Sequence, residues 1–193
     1  MRKAIAYSGG VDSTAVATAL LRDHPEVEWT LVYVDQGQTS SAAQKAAMAE
    51  LVRRFPAFQT YTITIDMGFN PTVVSCNGTV LQNAPVLPTM WAVVQSVANH
   101  LGADEVYTGY DRWTDAKQDA YEFLSQGIAA DLPPLNMFGP TPRGIQGTLD
   151  ECGLTWADVS FTVSCSGDPS DPLNPAKVPC GVCPKCIERK AFQ

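Results

Sequence analysis

Two stretches concentrate the residue types that could do chemistry. The first is Ser8-Gly9-Gly10-Val11-Asp12-Ser13. The apolar run Ala4-Ile5-Ala6-Tyr7 before it reads as a buried strand. Ala15, Val16, Ala19 and Leu20 after it fall on one helix face. Between strand and helix, glycines let backbone approach a ligand closely. The N–H groups and positive end of a helix hold phosphate oxygens. Strand, glycine turn and helix start together therefore predict an anion site. Asp12 and Ser13 are good N-cap residues and place the helix start at that point. The stretch is not G-x-x-x-x-G-K-[ST], so it brings no P-loop lysine to a terminal phosphate.

The second stretch is a cysteine cluster. Cys165 is followed by Cys180-Gly181-Val182-Cys183-Pro184-Lys185-Cys186, two overlapping C-x-x-C steps and one remote thiol. Four thiolates complete a tetrahedral Zn²⁺ site with no open position for water, which makes the expected role structural. Such a metal would staple a C-terminal segment, residues 160–193, whose stretch from Gly167 to Pro179 is rich in proline and poor in apolar side chains. Four cysteines also suit an iron–sulfur cluster. A redox C-x-x-C pair needs neither the third nor the fourth thiol.

The elements that must position these residues follow from periodicity. Thr30-Leu31-Val32-Tyr33-Val34 reads as a strand, ended by Asp35-Gln36-Gly37-Gln38. Ala43, Ala47, Leu51 and Phe55 are spaced four apart and predict a helix stopped by Pro56. Thr60 to Ile65 alternates polar and apolar, as a half-buried strand does. From Asp66 to about Pro88 the signal fades, apart from a turn at Asn77-Gly78. Thr89 to Leu101 predicts a helix closed by Gly102. Glu105 to Thr108 predicts a strand ending at Gly109. An acidic stretch with Asp111, Asp115 and Asp119 follows, read either as part of a ligand crevice or as a solvated helix start. Pro133-Pro134-Leu135-Asn136 and Gly139-Pro140-Thr141-Pro142 bracket an irregular stretch. Arg143 to Gly153 predicts a short helix with Ile145, Leu149 and Cys152 inward. Strands alternating with helices predict an α/β fold, a Rossmann-like parallel sheet with helices on both faces. Its ligands belong at the carboxyl ends of the strands, which puts Ser8 to Ser13 and Asp35 on one rim.

The bulk numbers agree with a single domain over residues 1–193. Apolar residues make up 45% and charged residues 17% of the chain, the balance of a globular protein. The formal net charge of −7 argues against broad binding to a nucleic-acid backbone. No apolar run reaches the length of a membrane span, and Arg2-Lys3 leads into a strand rather than a signal segment, so a cytoplasmic location is expected. Cys76 and Cys152 stand apart from the cluster and read as plain small or core residues. His24 and His100 fall at helix ends and are assigned no chemistry.

Ser8-Gly9-Gly10-Val11-Asp12-Ser13 resembles the S-G-G-x-D-S loop of the ATP pyrophosphatase (PP-loop) superfamily. Together with Cys165…Cys180-Gly181-x-Cys183-x-x-Cys186-x-x-Arg189, it resembles the 7-cyano-7-deazaguanine synthase family, an adenine nucleotide alpha hydrolase-like fold, from end to end. The resemblance implies a homodimer with one structural Zn²⁺ per chain on Cys165, Cys180, Cys183 and Cys186. It implies ATP with Mg²⁺ as co-substrate, bound by Tyr7, Ser8, Gly9, Gly10, Val11, Asp12, Ser13, Thr14 and Asp35. Ser8, Asp12 and Ser13 would be catalytic, Arg189 a phosphate contact, and Asp111, Asp115 or Asp119 the acceptor for the N–H edge of a deazaguanine. The implied reaction converts 7-carboxy-7-deazaguanine, ammonia and ATP to the nitrile through an adenylate and an amide. The middle of the chain departs from the family, with Leu87-Pro88-Thr89 where a glycine-arginine-asparagine is usual. A member that stops at the amide, or joins the carboxylate to another amine, fits the same motifs. So does a non-catalytic nucleotide-binding subunit. Two other PP-loop activities, tRNA thiolation and sulfonucleotide reduction, are disfavoured by the acidic charge and by the lack of a reactive cysteine outside the cluster.

Overall fold

The computed structural model describes residues 1–36, 40–65, 75–76, 79–80, 86–109, 132–138, 144–163 and 184–192. Strands β1 (Arg2–Tyr7), β2 (Glu28–Asp35), β3 (Gln59–Thr64), β6 (Glu105–Gly109) and β7 (Leu135–Phe138) form one parallel sheet in the order β3-β2-β1-β6-β7. The short strands β4 (Ser75–Cys76) and β5 (Thr79–Val80) pair antiparallel, with Asn77-Gly78 between them in sequence. The helices are α1 (Val11–Asp23), α2 (Ser41–Arg54), α3 (Val86–His100), α4 (Gly144–Cys152), α5 (Trp156–Val159) and α6 (Pro184–Lys190). No helix among the described residues is long and apolar enough to cross a membrane.

Strand alternation sorts the core into two faces. Ile5, Tyr7, Trp29, Leu31 and Tyr33 pack with Val16, Ala17 and Leu20 of α1 and Met48 and Leu51 of α2. The alternate residues Ala4, Val32, Val34 and Val106 pack with Trp91, Val94, Val97 and Ala98 of α3. This is the predicted fold class, a parallel sheet covered on both faces, whose central strands are buried on both sides. Helix α1 departs from the one-sided helix that the sequence predicts. Its second face, Val11, Ala15 and Ala19, packs under Ile145, Leu149 and Cys152 of α4 and Val159 of α5. Small residues along α1 let it lie buried between the sheet and this outer layer.

Three further expectations are corrected. The segment after Pro133-Pro134 is not irregular: Leu135–Phe138 forms β7, paired with β6 from Val106↔Leu135 to Gly109↔Phe138. A strand can begin just after proline, whose missing N–H matters only inside the ladder. Strand β3 is an edge strand rather than a half-buried one, with Tyr61 36% exposed and Ile63 reaching the core. Helix α3 starts at Val86, before Thr89, with Pro88 in the first turn where no N–H is required.

The strand order reverses between β1 and β6, and ligands of open parallel sheets bind where it does. There the carboxyl end of β6 presses on the first turn of α1. A Cβ on Gly109 would lie 2.6 Å from Val16 Cγ2 and 3.1 Å from the Asp12 carbonyl. Gly109→Ala should therefore destabilise the domain by about 1–3 kcal/mol through overpacking. Urea unfolding checks this, and an unchanged midpoint would show that the two elements are not in this contact.

Candidate functional site: the glycine turn at the strand rim

The chain leaves β1 at Tyr7 and enters α1 at Val11 through Ser8-Gly9-Gly10. Gly9 has φ +72°, and a Cβ there would come within 2.8 Å of Gln44 Cα on α2. Conformation and space both demand glycine. The helix start differs from the one expected. Gly10 is the N-cap, extended at φ −84°, ψ 169°, and no side chain caps it. Asp12 and Ser13 lie inside the first turn.

Ser13 holds the turn from within. Its hydroxyl donates to the Gly10 carbonyl (3.3 Å) and accepts from the Ser8 backbone N–H (3.2 Å). The Ser8 and Ser13 hydroxyls share a further hydrogen bond at 3.1 Å. Two serines five residues apart thus clasp the glycines between them, leaving Ser8 Oγ half-buried at the mouth of the turn. Asp12, also half-buried, lies at the electropositive end of α1, where a carboxylate is favoured. Thr148 Oγ1 of α4 stands 3.3 Å from Asp12 Oδ1 and 3.2 Å from the Gly144 carbonyl, so one hydroxyl proton serves both acceptors.

Asp35 ends β2 on the same rim, since Tyr7 stands opposite Tyr33 in the ladder. It is buried and ion-paired with Lys45 of α2, whose side chain is 46% exposed. Tyr33 donates to Gln44 Oε1 (2.9 Å), fixing α2 over the turn, and burial pushes its hydroxyl up to about 12. The C-terminal side also reaches the turn: the Val163 N–H donates to the Gly9 carbonyl at 2.8 Å.

The rim thus brings together Ser8, Gly9, Gly10, Val11, Asp12, Ser13 and Asp35. Tyr7 and Thr14, also expected to contact the nucleotide, flank that stretch. Both side chains are fully buried and hydrogen-bonded to each other at 3.1 Å, and burial pushes the Tyr7 hydroxyl up to about 12. They brace the turn from below. Arg189 lies on α6, where its guanidinium donates to the carbonyls of Thr162 and Ser160. Asp111, Asp115 and Asp119 lie outside the described residues, as do Cys165, Cys180 and Cys183. Cys186 is 4% exposed on α6. Among the described residues no three His, Cys, Asp or Glu side chains converge on one point. Lys45, Thr148 and Val163 were not singled out from sequence. An isolated helix lysine, a helix threonine and a backbone N–H carry no spacing signal.

No family model matches the chain, and no curated protein matches it. Its fold is similar to that of U34-tRNA thiolase NcsA from Methanococcus maripaludis, solved with its 4Fe-4S cluster. The TM-score is 0.59 at 12% identity, over 91% of this chain and 63% of that one. The chain therefore spans less than two thirds of that neighbour's length, and the likeness is one of fold. A predicted subunit of tRNA methyltransferase from Methanocaldococcus jannaschii aligns at TM-score 0.40 and 13% identity, over 79% of this chain and 74% of that one, too low to carry an argument.

Cys152 is 2% exposed in α4, and burial first of all pushes its thiol up to about 11. It is a core residue, as its helical spacing predicts. The folded protein should leave Cys152 unmodified by iodoacetamide at pH 8, where the thiolate is scarce, and label it only on unfolding. Peptide mass mapping checks this; rapid labelling of the native protein would contradict the burial.

Proposed function

We propose that the chain is an ATP-dependent enzyme of the PP-loop type that activates a carboxylate as its adenylate. The observation that carries this reading is the clasped glycine turn itself. An N-terminal helix end without a side-chain cap opens at the switch point of a parallel sheet, with a carboxylate in its first turn. An incoming pyrophosphate group would take the N–H groups and the positive end of α1. Asp12 beside it would repel phosphate directly, so its place suits the Mg²⁺ that accompanies the nucleotide. Ser8 Oγ would face the phosphates, and Ser13 would keep the turn in shape.

In the proposed reaction the substrate carboxylate attacks the α-phosphorus, the α–β anhydride bond breaks, and pyrophosphate leaves. Ammonia then attacks the acyl carbon and AMP departs with the carboxylate oxygen, giving the amide. With a second ATP the amide oxygen is adenylated, and loss of AMP and protons yields the nitrile. The choice of 7-carboxy-7-deazaguanine rests on the sequence resemblance at both ends of the chain, with Asp111, Asp115 or Asp119 taking the base edge. A cytoplasmic homodimer belongs to the same reading. The buried thiol of Cys186, three residues after Cys183 in the sequence, fits a closed metal site that Cys165, Cys180 and Cys183 would complete. Such a site would supply structural cross-linking of residues 160–193.

A second reading has one observation in its favour, the fold likeness to a tRNA thiolase solved with an iron–sulfur cluster. Under it the cysteines would hold iron and the activated group would be a tRNA base. Metal analysis of anaerobically purified protein separates the two: one zinc per chain for the first, iron with acid-labile sulfide for the second.

The direct test is pyrophosphate release from ATP and Mg²⁺, with and without 7-carboxy-7-deazaguanine and ammonium, followed by mass spectrometry of the base. Release that depends on the carboxylate, with the mass of the amide or nitrile, is expected. Asp12→Asn should lower that release by about 10²-fold or more, the scale of losing one electrostatic partner of the reacting phosphates. ATP binding without release, with any of these acceptors, would instead mark a nucleotide-binding subunit.

A further inference from the structure

We propose that Arg189 is a positioning residue for the glycine turn, acting from α6 through the single peptide that joins Thr162 to Val163. The inference rests on the nucleotide reading of the turn. That peptide does two things at once. Its N–H end, on Val163, donates to the Gly9 carbonyl at 2.8 Å. Its C=O end, on Thr162, accepts from Arg189 Nη1. A peptide unit is planar and stiff, so its orientation cannot change at one end alone. Holding the carbonyl fixes the direction in which the N–H meets Gly9. A charged donor on the carbonyl also polarises the peptide and strengthens that N–H as a donor.

The guanidinium is itself held. Nη2 donates to the Ser160 carbonyl at 3.2 Å, so the fork spans two carbonyls of one turn. Its central carbon lies over the Trp156 ring, 4.9 Å from the centroid, and Trp156 stacks on Phe192 at 5.3 Å. A lysine cannot bridge two carbonyls with a rigid planar fork. The residue before it supports the other side of the site. The Glu188 carboxylate accepts from the Ile145 N–H at the start of α4, sitting where a Cβ on Gly144 would be. Helix α4 in turn carries Thr148 to Asp12. One short helix at the C-terminal end of the chain thus reaches the turn along two routes. Cys186 lies buried on that same helix.

The test uses the full-length protein, Arg189→Gln and Arg189→Lys, with inorganic pyrophosphate and Mg²⁺ as the calorimetric probe and amide hydrogen exchange as the local readout. Arg189→Gln should weaken pyrophosphate about tenfold, the scale of a lost charged hydrogen bond. It should speed exchange of the Val163 amide while Leu31 in β2 stays protected. Arg189→Lys should fall between, and it decides the matter if the glutamine variant does not fold. Unchanged pyrophosphate affinity in a folded variant would overturn the proposal. So would lost affinity with unchanged Val163 exchange, which would make Arg189 a direct phosphate ligand, and so would loss of protection at Leu31 and Val163 alike. If the unmodified protein binds no pyrophosphate, the nucleotide reading fails. Val163 exchange in the variants then decides the positioning role by itself: faster exchange keeps Arg189 as the support of the turn, and unchanged exchange overturns that as well.

Discussion

Backbone pressed on backbone is the constraint from which the site follows. Gly9 lies against Gln44 of α2, and Gly109 lies against the first turn of α1. At both places a single methyl group would force the elements apart. The first turn of α1 can sit at the reversal of strand order only because β6 ends in a residue without a side chain. The turn from β1 can reach it only by passing through a left-handed residue. Once those two approaches are made, the helix dipole, the glycine N–H groups and the carboxylates of Asp12 and Asp35 share one rim. Away from that rim, Lys3 of β1 pairs with Glu105 and Tyr107 of β6.

A turn built this way has little side-chain bulk to hold it. Its rigidity is imported. Helix α2 covers Gly9, Ser13 clasps from the α1 side, and the Tyr7–Thr14 pair braces it from below. Val163 ties it to the C-terminal segment, and Thr148 steadies Asp12. Each support is a hydrogen bond or close contact from a different part of the chain, at separations of up to 154 residues in the case of Gly9 and Val163. Preorganisation of this kind matters for anion binding, because a site shaped in advance spends no binding free energy on ordering itself. The outer layer that buries the second face of α1 belongs to the same arrangement: α4 carries Thr148, and the chain leaving α5 carries Val163.

What was legible in the sequence was what periodicity can carry. Strands β1, β2 and β6 and helices α2 and α4 follow their hydrophobic patterns closely, and the rim with Ser8 to Ser13 and Asp35 follows from strand order in α/β sheets. Two kinds of feature escaped. Very short elements give no period: Leu135–Phe138 has four residues behind two prolines, and only its pairing with β6 makes it a strand. Tertiary supports give no spacing: the Ser13 clasp makes a side-chain N-cap unnecessary, so Asp12 and Ser13, which look like caps, are not. Tyr7 and Thr14 flank the motif and face the core, because a strand's alternate residues and a helix's inner face must be buried whatever loop joins them. The paired use of Arg189 depends on a peptide 27 residues before it and could be seen only once the fold had joined them.

The proposed role of the Ser8–Ser13 turn is that of an anion cradle. Amide chemical-shift mapping with Mg²⁺ and pyrophosphate tests it most directly. The largest shifts should fall on the N–H groups of Gly9 to Ser13 and spread to Val163, while the edge strand β3 stays still. Shifts centred anywhere else, or none at saturating pyrophosphate, would contradict it.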